Sequence, residues 1–128
     1  MRNRERLQAL GKFEALFRSP WFKFGEWDKI GFRRSDDTEK FVRHCYDSGW
    51  VQGEFDWSAW MATDEAQELR DPDNIRNRAS EEQLEKLLTV AIRQDRFVEG
   101  GLLSWFENGQ LLAIIQRADK LRAVDMIS

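Results

Sequence analysis

The stretch "RQDRFVEGG", residues 93–101, places two acids, Asp95 and Glu99, on either side of Arg96. Carboxylates one helical turn apart beside a guanidinium can share a proton as an acid–base pair, hold a cation, or form a structural ion cluster. Their setting is unusual. At about 100° per residue from Leu84, the side chains of Leu87, Leu88, Ala91 and Ile92 form one apolar stripe, and Asp95 falls at about 20°, in its middle. If the helix continues one more turn, Glu99 falls at about 60°, beside it. Both acids then face the interior at a helix C-terminus, where the dipole disfavours negative charge. Such a carboxylate takes up a proton or meets a cation. Arg96, an arginine of the first helix, or the pair Arg33 and Arg34 can supply one. Two readings stay open. One is an ion-pair cluster that fixes how the helix meets Gly100-Gly101. The other is a pocket with Asp95, Arg96 and Glu99 as its polar groups and Trp105 at its floor.

Other chemistry is poorly served. His44 and Cys45 are the only residues of their kinds, and neighbours on a helix diverge by about 100°, too far for a nucleophile and its base. No G-x-S-x-G elbow is present for a serine triad. Two Cys/His residues cannot complete a structural zinc site. "DPDN", residues 71–74, lacks the remaining ligands and the glycine of a calcium loop. No phosphate loop or dinucleotide fingerprint occurs. No catalytic residue, metal or cofactor is therefore expected.

The elements that must position the corner follow from periodicity and caps. Leu7, Leu10, Phe13 and Phe17 predict a helix over about 3–18, stopped by Pro20. Residues 19–35 are aromatic and broken by Gly25 and Gly31; strand pairing around 29–33 is possible, and a packed loop is favoured. A second helix is expected from Asp36, with Glu39 completing a capping box, to Gly49. Asp56 is placed to cap a short turn through Trp57 and Trp60. A third helix runs over 64–70 with Thr63 as its cap and Asp71-Pro72 as its end. The fourth begins at the capping box of Ser80 and Gln83. A short helix over about 101–107 and a last one over about 110–122 complete the chain, divided by Gly109. The expected fold is all-α: residues 1–128 as one compact domain, a bundle of five or six helices with a long aromatic-rich loop.

The 128 residues carry a net charge of −3, and 34% of them are charged, a globular composition without a membrane-length apolar run or a secretory leader. One cysteine excludes an internal disulfide and points to a reducing cytoplasm. Charge is segregated. Residues 1–34 hold nine Lys/Arg against four Asp/Glu, whereas residues 35–75 hold three against eleven. Packing of the basic third on the acidic third is favoured over a nucleic-acid surface, for which the excess is weak. The basic start, Arg2, Arg4 and Arg6, reads as a solvated helix end. Six tryptophans supply core volume. Trp57 and Trp60 are the exception considered, as one exposed ledge for a protein partner.

The strings "IRQDRFVEGGLL" and "FENGQLLAIIQR", with "ALGKFEALFRSPWFKFGEW" near the start, resemble an uncharacterised family of small bacterial proteins of unknown function. The resemblance covers nearly the whole chain. It implies an intact domain in a bacterial cytoplasm and adds nothing about chemistry. The expected function is a non-catalytic binding protein with a protein partner, no membrane and no nucleic acid. The alternative is a small enzyme or a ligand or cation sensor built on Asp95, Arg96 and Glu99.

Overall fold

The computed structural model describes residues 3–127. The expected first helix is two: α1, Asn3–Gly11, and α2, Phe13–Arg18. The break falls at Lys12, and at Gly11 just before it a Cβ would stand 3.3 Å from Asp119, so the missing side chain lets two helices come close. Leu7 and Leu10 are buried, and Phe13 and Phe17 start an aromatic cluster with Phe41.

The favoured packed loop is overturned. Strands β1, Gly25–Trp27, and β2, Phe32–Arg34, form an antiparallel hairpin with Trp27 opposite Phe32. Its tip is an Asx turn: Asp28 Oδ1 accepts the backbone N–H of Ile30 at 2.8 Å and of Gly31 at 3.0 Å. Gly31 has a φ of 148°, which a side chain disfavours. The hairpin is held to the core by Phe24, which stacks on Phe106 at 4.7 Å.

Helix α3, Asp36–Asp47, is capped by Ser35, which accepts from the Thr38 N–H, and not by the expected Asp36–Glu39 box. Asp56 caps α4, Trp57–Met61, and Thr63 caps α5, Asp64–Glu68, as expected. Asp71-Pro72 does more than stop a helix. Asp71 caps α6, Pro72–Arg78, and Pro72 fills the first turn, where a missing N–H costs nothing. The predicted Ser80–Gln83 box opens α7, Glu81–Gln94. Helices α8, Gly101–Glu107, and α9, Gln110–Ile127, follow. The fold is therefore a helical bundle with one small sheet, and its nine described helices are shorter and more numerous than the expected five or six.

Helix α9 lies against α1, α6 and α8, with Leu111, Ile114 and Ile115 fully buried. Each such side chain contributes about 1.5–3 kcal/mol of burial. Arg6 corrects another expectation, because it is buried and not solvated. Its Nε donates to Glu81 at 2.8 Å, its Nη2 pairs with Glu85, and its guanidinium lies 4.0 Å from the centre of the Trp50 ring. Arg2 lies outside the described residues. The basic third does not pack its charge on the acidic third as expected. Among the described residues only Arg34–Glu39 pairs the two, while Arg6 reaches α7.

Candidate functional site

The corner expected at the end of the fourth helix exists, but its geometry differs from the helical extrapolation. Helix α7 stops at Gln94 and Asp95 is its C-cap. The Asp95 side chain still points inward, 18% exposed. Its Oδ1 accepts the backbone N–H of Leu102 at 2.9 Å, a donor in the first turn of α8 that has no helical partner. Gly100, the N-cap of α8, has no side chain to supply that acceptor. Asp95 thus joins the end of one helix to the start of the next. Its Oδ2 lies 3.6 Å from Arg34 Nη1, and Arg34 Nε donates to Glu39 at 2.8 Å. The required cation comes from the Arg33–Arg34 pair, one of the three sources considered.

Glu99 is exposed and does not sit beside Asp95 on a helical face, because residues 95–99 form a turn. It reaches the hairpin, where Oε1 accepts the Phe32 N–H at 3.0 Å. A Cβ on Gly31 would overlap that oxygen, and a Cβ on Gly100 would stand 2.9 Å from the Trp27 ring. Two glycines therefore let the hairpin and the turn close on each other. Arg96 does not fold onto Asp95. Its Nη2 donates to the Tyr46 hydroxyl at 3.0 Å. Trp105 is buried with its Nε1 3.5 Å from Gln94 Oε1, and it does not floor the corner.

Two open depressions meet at this cluster. One, of about 570 Å³, lies between β2 and the 95–100 turn. The other, of about 430 Å³, lies between α3 and the end of α7. Arg34, Glu39, Asp95 and Arg96 line both. At this corner Asp95 is held by Arg34 and a backbone donor, Glu99 is held by a backbone donor alone, and both depressions open to solvent.

The expected tryptophan ledge does not form. Trp60 is buried, and its Nε1 donates to Glu65 at 2.6 Å. Trp57 is half-buried and lies 6.3 Å from the ring of Phe97. The exposed apolar residues near the corner are others: Trp27 at 59%, Ile30 at 94%, Phe97 at 76% and Val98 at 51%. The sequence signal for them was weak. "FV" stands between charges at 96 and 99, and Trp27 alternates with Glu26 and Asp28.

His44 and Cys45 diverge. His44 Nδ1 lies 3.3 Å from Ser48 Oγ, and burial pulls the imidazole below its ordinary range. Cys45 is wholly buried, and burial pushes its thiol well up. Asp71 and Asp73 serve helix α6, as cap and as partner of Arg76. Among the described residues no group of His, Cys, Asp and Glu is arranged to hold a metal ion. No helix among them is long and apolar enough to cross a membrane.

Comparison with known proteins adds one positive finding. A model of a family of unknown function (DUF6508) matches residues 2–124. No curated protein and no solved structure matches the chain.

Proposed function

The chain belongs to the family of unknown function DUF6508, and from that premise we propose that it is a non-catalytic protein-binding module. Its recognition face is the hairpin tip together with the turn between α7 and α8. One observation carries this reading: Trp27, Ile30 and Phe97 stand largely in solvent on two segments that are tied together by Glu99. Large aromatic side chains held outward on a fixed frame are what a protein partner uses as anchors. The charged corner supplies that frame.

The acid–base alternative is weaker. Asp95 and Glu99 each accept a backbone N–H, and Asp95 also meets Arg34. These contacts already occupy carboxylate oxygens with partners of the chain itself, and no histidine, serine or cysteine lines the two depressions as a base or nucleophile for a substrate to use. The single cysteine fits the reducing cytoplasm that completes the proposal.

The test is photo-crosslinking from the face itself. A photoreactive phenylalanine analogue at position 97, in the full chain expressed in bacterial cells, is expected to trap a discrete protein adduct. The same analogue at Lys120 on α9 is expected to trap none. Purified partner should then lose about tenfold in affinity to Trp27→Ser and Phe97→Ser, which is about 1.4 kcal/mol. No adduct from position 97, or an affinity indifferent to both substitutions, overturns the reading. Sedimentation showing a dimer that Phe97→Ser dissolves would make the partner a second copy and overturn it likewise.

A further inference from the structure

The depression between α3 and the end of α7 holds an unused set of hydrogen-bond donors. Arg34 is committed there to Glu39 and Asp95. Arg43 and Arg96, exposed in the same depression, have no carboxylate partner among the described residues. Tyr46 lines the depression with them. Its hydroxyl oxygen accepts from Arg96, so its own proton is directed elsewhere. The remaining N–H groups of Arg96, the five of Arg43 and the Tyr46 O–H make a set with donors to spare, and among the described residues no carboxylate is paired with either arginine. Planar guanidinium groups match a carboxylate in bidentate fashion. Beneath them lie the buried Val42 and Ile92, and Phe97 follows Arg96 out into solvent.

We propose that this depression receives an acidic side chain from an extended segment of a partner protein, with Phe97 taking an apolar residue next to it. The partner segment is thus an Asp or Glu flanked by apolar residues. Complementarity of charge selects it over a nucleic acid. Glu39 and Asp95 line the same depression, Glu99 lines the next, and the whole chain is at −3. A phosphate backbone would run its repeated charge across those acids, whereas one carboxylate seats between two arginines and avoids them. This assignment rests on the protein-binding reading above and names its partner class.

The experiment selects ten-residue peptides from a displayed random library against the full-length chain, then measures the selected peptides by fluorescence anisotropy. Selected peptides are expected to carry Asp or Glu beside apolar residues. Replacing those acids by Asn or Gln should weaken binding about tenfold, as should the double substitution R43Q/R96Q, and the two changes together should cost little more than either. Y46F should lose a few-fold. Arg43 and Arg96 are exposed, so circular dichroism should be unchanged. Selected peptides without acids, sensitive to Trp27→Ser or Phe97→Ser but not to R43Q/R96Q, would sink the acidic partner and leave the binding face standing. Acidic peptides indifferent to R43Q/R96Q would sink it too. No selected peptide at all would sink both. A twelve-nucleotide single strand or inorganic phosphate that binds through the same arginines more tightly than any peptide would replace the proposed partner.

Discussion

Glu99 accepts the backbone N–H of Phe32 at 3.0 Å, across 67 positions of the chain. A side chain thereby takes the place of a third strand on the outer edge of the hairpin. Gly31 makes room for it, since a Cβ there would overlap the accepting oxygen. The bond, the glycine and the Trp27 ring over Gly100 form one joint, and its parts are expected to fail together.

Gly31→Ala should destabilise the protein by about 1–3 kcal/mol, from a φ of 148° and displacement of Glu99. Glu99→Ala should cost about 1 kcal/mol, near the worth of one hydrogen bond. The double substitution should cost less than the sum, because the displaced carboxylate is already gone. Urea denaturation of the four proteins measures the coupling; simple additivity would refute the joint.

Asp95→Ala should cost about 1–2 kcal/mol by leaving the Leu102 N–H without its acceptor and Arg34 without one of its two acids. Asp95→Asn keeps an acceptor and should recover about half. Equal losses in both, read from denaturant midpoints, would assign the whole effect to charge.

Arg6→Met should be the most damaging single change among the ion-paired residues. It leaves Glu81 and Glu85 without their shared cation and strips the Trp50 face. A loss of about 2–4 kcal/mol is expected, at the lower end of buried pairs because both acids keep some solvent. Arg6→Lys should restore less than half, since an ammonium cannot fork to two carboxylates. Full rescue by lysine would argue for bare charge over geometry.

Stability should fall in two steps on acidification. Burial lowers His44 below its ordinary 6.5, so its contribution is present above that value and is lost as pH falls through the lower folded value. Glu65 is lowered from 4.5 by donors on Gln83 and Trp60, and the nearby Lys86 adds to them. Its contribution is whole above 4.5 and is lost as pH falls through the lower folded value. Melting temperatures measured from pH 8 to pH 3 should show the first step vanish in His44→Gln and the second flatten in Glu65→Gln. Steps that persist in these variants would move their origin elsewhere.

What the sequence made legible was local. The Ser80–Gln83 box and the Thr63 and Asp56 caps are satisfied within one turn, so residue type and spacing decide them. The inward direction of Asp95 was also legible, because it follows directly on the stripe from Leu84 to Ile92, whose phase places it. What followed Asp95 was not. Its carboxylate is taken by the N–H of Leu102, which requires the chain to turn, and a wheel extended to Glu99 assumes that it does not. The hairpin escaped for a similar reason. Its three-residue strands carry little alternation, and its anchor is the stack of Phe24 on Phe106, made by a distant helix. Asp71-Pro72 is ambiguous in sequence, because that dipeptide both stops one helix and starts another. The exposed face was hidden for the plainest reason: Trp27 and Phe97 look like core until the fold shows that neither is covered.

The seclusion of Cys45 has a practical corollary. The only sulfhydryl in the sequence lies fully inside, with burial disfavouring its thiolate, so maleimides and other alkylating dyes should pass it by. A cysteine installed at Ile30 would then be the sole reactive handle on the native chain. A fluorophore attached there could report encounters at the hairpin tip with no background label to subtract.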